Sequence, residues 1–220
     1  LRPVAALVAA RARRRGSSVA LSIAAVATAV ALVAIVAGIR TPFARAGTLL
    51  RGETSGVRLP FIFMRLDVLR ADSTDLLVRC VHCPGAPQGW ISRESVVHYV
   101  RPRSDPRKLE LADLVLAVRE AASQRDVEAM RRLMSREFVH TLGPLEMGLL
   151  ETFAAWEREG YRTVDRLPFI LDRGLATVPG TPVWAAPPEY AGQLGYQDVR
   201  AGFKRGTDGW EWVFLVRDGM

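Results

Sequence analysis

The chain is poor in the residues that most enzyme and metal chemistry requires. It has two cysteines and three histidines in 220 residues. His82, His98 and His140 lie far apart, and neither His-x-x-His nor His-Glu-x-x-His occurs, so the usual zinc-ligand spacings are excluded. Gly-x-Ser-x-Gly is absent, which removes the commonest serine-nucleophile motif. Gly143-Pro144 and Gly206-Thr207-Asp208-Gly209 lack the spacing of a phosphate-cradling loop and read as turns. There is no internal repeat, and no low-complexity tract beyond one Ala-rich stretch.

Acidic residues are absent from residues 1–40, which hold six arginines: Arg2, Arg11, Arg13, Arg14, Arg15 and Arg40. That leaves 24 of the 30 basic residues to face all 23 acidic ones in residues 41–220, a net of +1. The formal charge of +7 therefore belongs to the N-terminal end, and the rest has no basic excess with which to grip a phosphate backbone. No nucleic-acid partner is expected.

One long uncharged run is present, the 24 residues Gly16–Ile39. About 20 apolar residues cross the hydrocarbon of a bilayer. The run predicts a single membrane-spanning helix over 16–40, preceded by a basic cytoplasmic segment over 1–15. Arg11, Arg13, Arg14 and Arg15 stand just before it, and such clusters stay in the cytoplasm. The expected address is the cytoplasmic (inner) membrane of a bacterium, crossed once, with the C-terminal part periplasmic or otherwise extracytoplasmic. The rival is a cleaved signal peptide, since Ala44-Arg45-Ala46 has the small-x-small form of a cleavage site. Small residues Ala24, Thr28, Ala31, Ala34 and Gly38 fall near one helix face and are a candidate seam for packing on another membrane helix.

Beyond the linker Thr41–Gly47, residues 48–100 read as short strands: part of Phe61–Leu69, then Leu76–Val81, then one opening at Gly89-Trp90-Ile91. The turns Glu53–Gly56, Ala71–Asp75 and Pro84–Pro87 separate them. The stretch Leu49-Leu50-Arg51, Leu66-Asp67-Val68-Leu69, Leu77-Val78-Arg79, Gly89-Trp90-Ile91 and Val96-Val97 resembles a bacterial SH3-like domain. The resemblance implies a small all-β SH3-like barrel over 41–100, of a kind that often binds peptides or cell-wall components. The chain departs from that pattern in the insertion Cys80-Val81-His82-Cys83-Pro84, and it lacks the aromatic-rich loop of a peptide groove.

Arg101–Arg107 carries two prolines and three arginines and reads as a linker over 101–108. Helices are expected at Leu109–Ala122, at Asp126–Met134 with Asp126 as N-cap, and at Glu146–Arg158, from apolar residues at helical spacing. Strands are expected at Val199–Lys204 and Trp210–Val216 around a hairpin turn. With Gln124-Arg125-Asp126-Val127-Glu128-Ala129-Met130, Glu137-Phe138 and Gly209-Trp210-Glu211-Trp212, residues 109–220 are similar to cone-shaped NTF2-like domains. That implies a C-terminal α+β domain with helices packed on a curved antiparallel sheet. The Pro-rich segment Val178–Tyr190 reads as an ordered loop, the alternative being a strap that docks a partner.

Cys80 and Cys83 are spaced to close a small ring. A structural disulfide is the leading reading outside the cytoplasm, with free thiols and a metal or redox pair as alternatives. Glu151, Glu157, Glu159, Asp165 and Asp172 could line a pocket in a cone-shaped fold. Trp210 and Trp212, two apart on a strand, share a face. No catalytic, cofactor-binding or metal site, and no cofactor, is assigned. The expected function is a membrane-anchored binding or scaffold protein, an accessory subunit whose partners are the lipid bilayer and other membrane or envelope proteins. The alternative is a membrane-anchored enzyme or small-ligand binder with a pocket in the C-terminal domain.

Overall fold

Strand alternation organises the first part of the molecule. The structure, a computed structural model, describes residues 41–52, 55–99, 108–140, 149–193 and 195–217. Strands β1 (Pro42–Ala44), β2 (Leu49–Arg51), β3 (Gly56–Arg58), β4 (Asp67–Ala71), β5 (Asp75–Arg79), β6 (Gln88–Ser92) and β7 (Val96–His98) are all short. Five form an antiparallel sheet in the order β3-β2-β6-β5-β4, and β1 pairs separately with β7. A single 3-10 turn, Arg93–Ser95, carries the chain from β6 into β7. Leu50, Leu66, Leu76, Val78 and Ile91 fill the interior, each no more than 1% exposed. The short strand expected within Phe61–Leu69 starts at Asp67, while Phe61–Leu66 is irregular and bonds to β1.

The C-terminal part begins with α1 (Leu111–Ser123) and α2 (Val127–Leu133), divided by Arg125 at positive φ and Asp126. The Asp126 carboxylate accepts from the Ala129 N–H at 2.9 Å and caps α2. Strand β8 (Met134–Val139) follows, then α3 (Leu149–Arg158), α4 (Arg162–Asp172), β9 (Ala176–Thr177), β10 (Val183–Ala186), the short α5 (Glu189–Gly192), β11 (Arg200–Arg205) and β12 (Trp210–Val216). The sheet order is β8-β12-β11-β10-β9. Gly202 faces the Phe214 ring so closely that a Cβ there would lie 2.1 Å from a ring carbon, and any larger residue would displace the ring. The Pro-rich segment Val178–Tyr190, expected as an ordered loop, carries a four-residue strand, Val183–Ala186, at its centre. Its β10 lies between β9 and β11, with Ala185 and Ala186 fully buried.

The expected fold class needs two corrections. Among the described residues no helix is long and apolar enough to cross a membrane. The longest, α1, has 13 residues and spans about 20 Å, short of a bilayer core. The transmembrane, single-pass signal-anchor description thus has no counterpart in the described fold. The segments 1–15 and 16–40, with the proposed seam at Ala24, Thr28, Ala31, Ala34 and Gly38, lie outside the described residues. So do the linker at 101–107, the turn at Gly143-Pro144 and the start of the third expected helix. The second correction concerns the C-terminal sheet, which is mixed rather than antiparallel. β8 runs parallel to β12, and three helices and three further strands intervene before β12 returns beside it.

Residues from Thr41 onward form one compact unit with two apolar cores. The wall between the cores is shared. Phe43 lies in the C-terminal core and Ala44 in the N-terminal one; Phe63 and Met64 divide the same way. Val97 packs on the C-terminal core while Val96 lies in the N-terminal one. In β1 and β7 successive side chains of extended backbone point to opposite sides, and at Phe63, where φ is 56°, the chain turns between the two cores, so all three segments supply both at once. Fully burying a phenylalanine contributes ~1.5–3 kcal/mol, and here Phe43 and Phe63 are 3% and 9% exposed.

Candidate functional site

The two parts meet along Phe61–Arg65 and the turn after α4. The Arg65 N–H donates to the Asp172 carbonyl at 2.9 Å, and the Leu175 N–H to the Ile62 carbonyl at 2.9 Å. Gly174 sits between them at φ 96°, where a Cβ would come within 2.7 Å of the Ile62 carbonyl oxygen. The close approach and the backbone angle both require glycine.

Asp172 ends α4, where the helix dipole disfavours a negative charge. Two guanidinium groups compensate. Arg119 from α1 donates through Nε at 2.5 Å and through Nη2 at 3.0 Å, and Arg65 donates through Nη1 at 3.2 Å. Arg119 also lies over the Phe43 ring, 5.5 Å from its centre. One carboxylate thus ties α1, α4 and the N-terminal β module together.

The insertion in the first module forms a second contact. Cys80 and Cys83 are joined by a disulfide with sulfurs 2.08 Å apart, and both are buried. The ring presents His82 edge-on to Phe169 on α4, with centroids 5.8 Å apart. Phe169 is 44% exposed, and Arg166 and Arg173 lie over its ring at 5.0 and 5.9 Å. Each arginine is itself paired, Arg166 with Asp198 and Arg173 with Glu189.

The carboxylates considered for a pocket do not converge. Glu159 accepts from the Thr163 N–H at 3.2 Å and hydroxyl at 2.9 Å at the start of α4. Asp165 forms a two-point pair with Arg125, Asp172 holds the joint, and Glu151 and Glu157 face solvent. Trp212 is fully buried and Trp210 packs partly against the same core, as their shared face requires. Among the described residues no three histidine, cysteine or acidic side chains are grouped to hold a metal ion. A shallow, open groove of about 510 Å3 runs along Arg45–Leu49, Arg51, Ser92, Glu94 and Ser95.

His140 follows β8 and is 1% exposed. Trp156 Nε1–H donates to its Nδ1 at 3.0 Å, the Leu215 carbonyl lies 3.3 Å from the same nitrogen, and Nε2 is buried with no hydrogen-bond partner among the described residues. Burial holds the imidazole below its ordinary pKa, against weaker opposing effects of the Leu215 carbonyl and the Glu159 charge. No sequence motif marked this residue. It follows a strand, Met134–Val139, half of whose residues are polar or charged, so the local pattern does not single it out.

The described residues thus form a disulfide-bearing β module and a mixed α and β module that share a wall between their cores. Comparison with known proteins finds no matching family model, curated relative or solved structure.

Proposed function

We propose that this chain is a binding or scaffold protein that works outside the cytoplasm, as an accessory subunit holding partner proteins in fixed relative positions. The carrying observation is the shared wall, in which β1, Phe61–Arg65 and β7 each serve two cores while Asp172 binds arginines from both modules. Such a joint resists relative motion, which suits a platform more than a hinge-closing catalyst. The carboxylates that acid/base chemistry would recruit are dispersed or committed to caps and ion pairs. The Cys80–Cys83 disulfide supports an oxidising compartment. The SH3-like reading of residues 41–100 and the NTF2-like reading of 109–220 belong to the same proposal. The first rests on the strand order and on the 3-10 turn before β7, the second on helices α1 and α4 packed against the mixed five-stranded sheet.

The test is purification of the native full chain under mild conditions. Recovery at constant stoichiometry with at least one other protein, through two independent separations, is the expected result. A chain that migrates alone in both, or that turns over a small molecule, counts against the reading.

A further inference from the structure

The buried imidazole of His140 stands between two demands that one nitrogen cannot meet together. Nδ1 carries either a lone pair or a hydrogen. With the lone pair it accepts from Trp156 Nε1–H at 3.0 Å, and the Leu215 carbonyl at 3.3 Å then faces it without a hydrogen between them. With the hydrogen it donates to Leu215, and the Trp156 N–H meets another N–H and loses its acceptor. Trp156 is fully buried, so a lost acceptor there is not replaced by water.

Trp156 is the inward anchor of α3. Its ring stacks on Trp212 and meets Phe138 and Phe153 edge-on. The His140–Trp156 bond therefore joins the end of β8 to the helix that covers it.

We propose that His140 is an acid-operated latch: adding a proton to its ring breaks the Trp156–His140 hydrogen bond and releases α3 from the end of β8. Charged residues on the packed elements are Arg136 and Glu137 on β8, Glu151, Glu157, Arg158 and Glu159 on and after α3, Arg162, Asp165, Arg166 and Asp172 on α4, and Glu211 on β12. Of these only Glu159 acts to raise the ring's pKa, more weakly than burial lowers it, and its carboxylate is already held by Thr163. The imidazolium would thus sit in the core without a dedicated counter-charge. The sign follows from linkage. The closed state disfavours the proton, so the latch holds above the ordinary histidine pKa of about 6.5, and the open population rises up to tenfold per pH unit below it.

Hydrogen exchange of the full 220-residue chain, corrected for intrinsic rates, is compared at neutral and mildly acid pH. Peptides within 149–158 are expected to lose up to about tenfold protection per pH unit below about 6.5. Peptides within α1 should change much less. His140→Gln keeps an acceptor for Trp156 and cannot titrate, so its 149–158 protection should be independent of pH. Unchanged wild-type protection, or an equal acid loss in His140→Gln, overturns the proposal. If that variant does not fold, the imidazole nitrogen resonances of the wild type decide. The ring is expected to stay neutral until α3 opens, and a ring that titrates at about 6.5 with α3 still protected overturns it.

Discussion

Asp172 and His140 are both buried polar groups of the C-terminal module, 5% and 1% exposed, and their surroundings differ in completeness. Asp172 receives hydrogen bonds from Arg119 and Arg65 and carries the joint between modules. His140 has one nitrogen contested by Trp156 and Leu215 and the other with no partner among the described residues. A buried charge with its partners in place fixes geometry, whereas a buried titratable ring with incomplete bonding makes stability depend on its proton. The same core holds a lock and a weak point.

Breaking the lock is expected to have the largest effect. Asp172→Ala leaves Arg119 facing the joint without an acceptor, and Arg65 loses its shorter ion pair while keeping Asp67 at 3.8 Å. Because Arg65 is 39% exposed, the loss should fall at the low end for a broken buried pair, about 3 kcal/mol in urea unfolding. Opening the disulfide ring comes next. Cys80→Ser with Cys83→Ser should cost about 2 kcal/mol, the entropy of so short a loop, and should loosen His82 against Phe169. Mass spectrometry of the native protein without reductant should find the two cysteines oxidised to each other.

The weak point gives a smaller, pH-bounded effect. Since burial lowers the folded-state pKa of His140, its neutral form favours folding above about 6.5. Stability falls as pH drops below that value, by at most about 1.4 kcal/mol per pH unit. Parallel urea titrations of the wild type and His140→Gln between neutral and mildly acid pH measure the difference, which should vanish above neutrality. The smallest effect belongs to Arg125→Ala. Its pair with Asp165 is more than 40% exposed on both sides, so unfolding should be unchanged within error, and any residual difference should disappear in high salt.

Sequence patterning located most elements with strong periodicity. Leu111, Leu114, Val115 and Val118 gave α1, Asp126 gave the cap of α2, and the turn at Gly206–Gly209 gave the last hairpin. The turn at Ala71–Asp75 was equally legible, because Asp72 accepts from the N–H groups of Thr74 and Asp75. Helix α4 was missed because Pro168 lies inside it and Tyr161 enters it in the left-handed region. Strand β10 was missed because prolines surround Val183–Ala186, although none falls within it. The mixed sheet was not readable, since parallel pairing of β8 with β12 depends on tertiary closure rather than on local pattern. The joint was hidden for a similar reason. Arg65, Arg119 and Asp172 are separated by 107 and 53 residues in their pairings, and no local signal connects them.

The central claim is that two modules with a shared wall behave as one body, and fluorotryptophan NMR across a urea titration tests it most directly. Trp90 reports the N-terminal module, and Trp156 and Trp212 report the C-terminal core. The account predicts that all three native resonances disappear with one common midpoint. Loss of the Trp90 resonance at a clearly different urea concentration from the other two would contradict it.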